Sequence, residues 1–111
     1  MARRSIVLEE RKQIKIFTNP VRQEMIRLLR LSEVPLTAKD LADRLYLSPA
    51  AVQHHLKKLE EIGVVEVDHH ARAGDMEVTY YRDADVEVQL QMGRNDGFQG
   101  EREALAANLV D

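Results

Sequence analysis

The stretch TAKDLADRLYLSPAAVQHHLKKLEEIG, residues Thr37 to Gly63, reads as two short helices meeting over a tight turn. Thr37 is placed to cap the first, and Asp40 three residues later makes a near variant of the capping box, which prefers Glu or Gln there. Leu41 and Leu45 supply that helix with its apolar stripe, and Tyr46-Leu47 turns the chain. Ser48-Pro49 starts the second helix: Ser is a favoured N-cap, and Pro at the first helical position loses only an N–H that has no partner there. Val52, Leu56, Leu59 and Ile62 keep its buried face in register, and Gly63 stops it.

Upstream, Leu8 to Phe17 fits a helix with Ile14 and Phe17 on one side. Asn19-Pro20 restarts the chain, and Val21, Met25, Leu28 and Leu29 recur at helical spacing, predicting an amphipathic helix over 20–31. Ser32 to Leu36, with Pro35, is a connection with room for one short strand. Downstream of Gly63 the period drops to two. Val65 and Val67 alternate with Glu66 and Asp68, residues 71–75 are turn material, and Met76, Val78 and Tyr80 alternate with Glu77, Thr79 and Tyr81. A further alternation of Val86, Val88, Leu90 and Met92 predicts another strand. Residues 93–100 are a flexible, polar link, and 101–110 return to helical spacing with Leu105 and Leu109. The expected fold class is mainly α with a small β-hairpin wing, because helices followed by a hairpin give the order of a winged helix-turn-helix. The expected domain spans 8–92, and 93–111 form a link and terminal helix that serve dimerisation or were cut from a longer chain.

The chain of 111 residues suits one compact unit, and its 44% apolar content is enough for one small core. With two Phe, three Tyr and no Trp, that core must be aliphatic. No apolar run approaches the roughly 18–20 residues of a membrane span, and no signal-peptide pattern follows the basic start, so a cytoplasmic protein with no membrane partner is expected. The absence of cysteine removes disulfides, thiolate metal sites and Cys nucleophiles. Enzyme chemistry finds no inventory either. The three Ser lie outside any nucleophile-elbow sequence, the five Gly are scattered, and His-Glu-x-x-His is absent. No cofactor is implied.

The net charge of −3 conceals a polarity along the chain. Residues 11–58 hold ten Lys and Arg against four Asp and Glu, whereas 59–111 hold four against thirteen. Screening over about 8–10 Å lets a polyanion respond to the basic half more than to the distant acidic half. On the helix from Pro49, residues Ala50, Gln53, His54 and Lys57 fall opposite Val52, Leu56 and Leu59. That face suits the major groove of duplex DNA. Small residues at the start, Ser48, Pro49, Ala50 and Ala51, allow close approach. Gln53 can both donate to and accept from an adenine edge, while Lys57 and Lys58 can reach phosphates. Thr37 and Lys39, at the start of the preceding helix, complete the expected DNA-binding set on this motif.

The run from Leu41 to Val65, with Asn19-Pro20-Val21-Arg22 through Leu28-Leu29 upstream, resembles the ArsR-type winged-helix repressors, over roughly residues 12–82. The resemblance implies a homodimer on a pseudo-palindromic operator, with Ser48, Ala50, Ala51, Gln53 and His54 at recognition positions. It also implies that the turn around Arg72 is a wing reaching the adjacent minor groove. Two departures stand out. The family's thiolate sensor sites cannot exist without Cys, and 86–92 has strand periodicity where compact metal sensors carry a dimerising helix. The pattern is closer to the longer ArsR-like regulators, with dimer contacts expected from the 8–17 helix and from the segment beyond Val86. The effector is not legible.

His54 and His55 lie about 100° apart on their helix, too far round to share a metal. In the hairpin only Asp68 and His70 point the same way, and they are the weak metal candidates. The function expected is a sequence-specific DNA-binding transcriptional regulator, a repressor. The alternative is a winged-helix module for protein–protein contact without DNA binding, which the acidic second half favours.

Overall fold

The computed structural model describes residues 3–91. Four helices, α1 (Arg11–Thr18), α2 (Pro20–Leu31), α3 (Ala38–Leu45) and α4 (Pro49–Glu61), are framed by five strands. These are β1 (Arg4–Leu8) before α1, β2 (Leu36–Thr37) before α3, and β3 (Val65–Ala73), β4 (Met76–Asp83) and β5 (Val86–Leu90) after α4. The winged helix-turn-helix order expected from the sequence is the order observed.

The helix starts are local and obey their capping residues. The Asn19 side chain accepts from the Arg22 amide at 3.1 Å, with Pro20 at the first helical position. Thr37 and Asp40 close a reciprocal box: the Asp40 amide donates to Thr37 Oγ1 at 3.0 Å, and the Thr37 amide to Asp40 Oδ2 at 2.9 Å. Ser48 Oγ accepts from the Ala51 amide at 3.1 Å. Each cap satisfies amides that the first helical turn leaves without a partner. α4 ends where Gly63 adopts φ +84°, a conformation that costs glycine little.

One core joins these elements. Met25, Leu41, Val52, Leu56 and Leu59 are fully buried, and Leu8, Ile14, Leu29, Val65, Tyr81 and Val86 complete the cluster from the other elements. No polar or charged residue is buried among the described residues, so the core is sealed by apolar contact alone.

Two small sheets flank the helices. In the first, β2, β4 and β3 are antiparallel in that order. The ladder between β3 and β4 slips by one residue between Val67 and His69, so Asp68 sits at a bulge and the alternation changes phase there. The segment expected as turn is mostly strand: Ala71, Arg72 and Ala73 pair with Val78, Glu77 and Met76. The turn proper is Gly74-Asp75, with Gly74 at φ +65° in the first central position, as a type II′ hairpin requires. Arg72 therefore stands on a strand, two residues before the tip.

The second sheet is only half legible in the sequence. β5 pairs in parallel with β1, Leu8 opposite Leu90 and Arg4 opposite Val86. Leu8 is thus the last residue of a strand and the first helix begins at Arg11, with the Glu10 amide donating to Gln13 Oε1 at 3.3 Å. A two-stranded parallel ribbon is weak by itself. Here Ile6, Leu8, Val86 and Val88 turn one side of it to the core, and Arg3 and Arg4 donate to the carbonyls of Val86 and Ala84 at 3.0 and 3.1 Å. Met92, the 93–100 link and the helix expected over 101–110 lie outside the described residues.

Candidate nucleic-acid interface

α3 and α4 meet over Tyr46-Leu47. Tyr46 takes φ +57°, its amide and that of Leu47 donate to the Ala42 carbonyl, and its side chain is 94% exposed. This turn presents α4 to solvent along one face. Val52, Leu56 and Leu59 are buried, while Ala50, Gln53, His54 and Lys57 are exposed, as their spacing predicts.

The two borders of that face are defined by contacts to different layers. On one side the Tyr81 hydroxyl of β4 donates to Gln53 Oε1 at 3.5 Å. This leaves the Gln53 amide hydrogens and one Oε1 lone pair for a ligand. Burial, and then the Glu60 carboxylate, push the Tyr81 hydroxyl above its ordinary value. On the other side Arg22 Nε of α2 donates to His55 Nδ1 at 3.0 Å. Burial, the Arg22 charge and the His54 ring all push His55 below the ordinary imidazole range. His55 is therefore a neutral acceptor at Nδ1, with its proton on Nε2 by this hydrogen-bond geometry. It packs at the edge of the core, and His54 meets it edge-on at 5.8 Å between ring centroids.

The other expected residues are dispersed around this face. Thr37, Lys39, Pro49 and Gln53 line one shallow groove together with residues 76–80 of the hairpin. Ser48 is exposed with its hydroxyl engaged as a cap, and Ala51 is half-buried. Lys39 lies 3.2 Å from Asp43, and Lys58, half-buried, lies 3.8 Å from Glu61. Lys57 is exposed and makes no hydrogen bond or ion pair with a described residue. Arg72 is exposed on β3 opposite Glu77, with Asp75 at the tip, so this end of the hairpin carries one cation against two carboxylates.

The two weak metal candidates are each held by other partners. Asp68 contacts its neighbour His69 at 2.6 Å and Arg82 at 3.1 Å, and these partners, His69 first, hold its carboxyl below the usual carboxylate range. His70 instead faces Thr79 at 3.1 Å and Glu77 at 3.3 Å. The bulge at Asp68 breaks the two-residue alternation on which their pairing depended. Among the described residues, no group of three or more His, Asp or Glu is placed to hold a metal ion.

A helix-turn-helix family model matches residues 17–68, the span that runs from the end of α1 through the bulge of β3. Solved structures carry the likeness further along the chain. A homodimeric winged helix-turn-helix DNA-binding domain from Mycobacterium bovis, a possible ArsR-family transcriptional regulator, is 20% identical with a TM-score of 0.52, covering 89% of this chain and 74% of that one. Reduced HlyU from Vibrio cholerae is 24% identical with a TM-score of 0.50, covering 65% and 68%. NolR from Sinorhizobium fredii is 21% identical with a TM-score of 0.50, covering 87% and 80%. No curated protein matches the sequence. At these identities the likeness establishes the winged helix-turn-helix fold. Among the described residues, no helix is long and apolar enough to cross a membrane.

Two features of this surface are not foreseen from the sequence. One is the Arg22–His55 contact that docks α4 on α2. The other is a set of cations on α1, Arg11, Lys12 and Lys15, all exposed and lining one groove with Asn19 and Arg22. Their spacing of one and three residues on a helix was the available signal.

Proposed function

We propose that this chain is a sequence-specific DNA-binding repressor that acts in the cytoplasm as a homodimer on a pseudo-palindromic operator. The observation that carries this reading is the exposed face of α4, where Ala50, Gln53, His54 and Lys57 are presented together at the second helix of a helix-turn-helix motif. The neutral amide of Gln53, held at one edge by Tyr81, is suited to the N6 and N7 edge of adenine. Lys57, uncommitted inside the protein, is suited to a phosphate, which positions the helix without reading sequence. Ser48, Pro49, Ala50 and Ala51 keep the start of α4 slim enough for the groove. Thr37, Lys39 and Lys58 contact the backbone around it, and Arg72 reaches toward the minor groove beside the hairpin.

One short helix reads few base pairs, so the reading needs two subunits, with their α4 helices in successive major grooves about 34–36 Å apart. The β1–β5 ribbon, whose outer side exposes Val7 and whose end exposes Leu90, supplies contacts between copies. Selection of binding sites from a randomised duplex pool tests this. Recovery of inverted repeats with half-site centres about 10–10.5 base pairs apart is expected. A pool that stays unenriched while the protein captures a protein partner would replace this reading with the protein-interaction module.

A further inference from the structure

Tyr81 is fixed more firmly than the residue it touches. It lies in β4, the central strand of its sheet, where its backbone pairs with Leu36 of β2 on one side and Val67 of β3 on the other. Its ring is 8% exposed and belongs to the core. Its hydroxyl nonetheless reaches the exposed face of α4 and donates to Gln53 Oε1. Gln53 is a long, exposed side chain that turns about its own bonds and ends in an amide with an acceptor at one end and donors at the other. The contact therefore joins a side chain free to turn to a hydroxyl that is not.

The sense of that amide decides what it reads. Its outer edge offers one acceptor beside one donor, which match the N6 hydrogen and N7 of adenine. Across the major groove, N7 lies nearer adenine's own backbone and N6 nearer the middle of the groove. Turning the amide over exchanges donor and acceptor, and so exchanges an adenine on one strand for an adenine on the other. Tyr81 removes that freedom. With the hydroxyl on Oε1, the acceptor end of the amide faces the hairpin and Nε2 faces away from it. One Oε1 lone pair and the Nε2 hydrogens are left for the base. We propose that Tyr81 is a positioning residue that sets specificity: it orients the Gln53 amide so that α4 reads adenine on the strand away from the hairpin, telling A·T from T·A. This rests on the DNA-binding reading above and adds to it a residue that acts through Gln53.

The test selects sites from a randomised duplex pool with the wild type, Y81F, Q53A and Q53A/Y81F. The half-site position that Gln53 reads is the one whose preference Q53A erases. There the wild type should favour A·T over T·A. Y81F should cut that preference about two- to tenfold, the worth of one hydrogen bond, while still favouring both over G·C and C·G. In the Q53A background the change at Tyr81 should alter nothing further, since the two side chains act as one unit. Phenylalanine keeps the buried ring, so binding of Y81F to an unselected duplex at about 50 mM salt should match the wild type. A merely structural role would instead weaken that binding and relax every position alike, which overturns the proposal. So does an unchanged ratio of A·T to T·A in Y81F, or an effect of Y81F that persists without Gln53. If Q53A erases no position, the proposal falls while the DNA-binding reading stands. A wild type that enriches no site removes that reading together with the proposal.

Discussion

Tyr46 occupies the turn of the motif in a left-handed conformation, φ +57° and ψ +41°, that non-glycine residues adopt at a cost of about 1–2 kcal/mol. Its ring contributes almost nothing in return to folding, since the side chain is 94% exposed. Tyr46→Gly removes the steric penalty but adds conformational freedom to the unfolded chain worth about 0.4–1 kcal/mol. The balance is a stabilisation of about 0.5–1 kcal/mol, or about 2–8 °C in Tm for a domain of this size. Tyr46→Ala keeps the backbone penalty and deletes only the exposed ring, so it should stay within about 0.5 kcal/mol of the wild type. The comparison of Gly with Ala by urea denaturation isolates the backbone. Glycine should exceed alanine, with m unchanged. A glycine variant less stable than alanine would refute the reasoning, because it would mean that Tyr46 is not held in the left-handed region.

The same structure makes three further outcomes testable. Leu56→Ala, at a fully buried position between α4 and the rest of the core, should destabilise by about 2–5 kcal/mol in chemical denaturation, whereas Lys57→Ala one residue on should not. His55 has a folded-state affinity for protons below that of the unfolded chain, so the unfolded state binds the proton first as pH falls. Its contribution is therefore complete above about pH 6.5 and is lost as pH drops through the lowered folded value, and His55→Gln should flatten that limb of a stability–pH curve. Gln53→Ala should relax base preference at one operator position by about 1–3 kcal/mol, while Lys57→Ala should weaken all sequences about equally, as read in competition binding.

The parts of this fold that are legible in the sequence are those decided within a few residues. Asn19-Pro20, Thr37 with Asp40, and Ser48-Pro49 announce helix starts because the capping partner is three residues away, and Gly63 announces a stop for the same reason. The exposed face of α4 comes from one helical period. The features that escape depend on distant partners. β1 is a strand only because β5, some eighty residues later, lies beside it, and without that partner Leu8 reads as part of the next helix. The bulge at Asp68 is likewise a property of a pair of strands, as is the continuation of the hairpin through Arg72. The groove of Arg11, Lys12, Lys15 and Arg22 needs the packing angle of α1 on α2, which no spacing specifies.

The most direct measurement is fluorescence anisotropy of the protein with the DNA upstream of its own gene, at about 50 and 200 mM salt and with random duplex as competitor. The account predicts binding that weakens with salt yet survives competitor, and that Gln53→Ala makes competitor-sensitive. Absence of binding at the lower salt would contradict it.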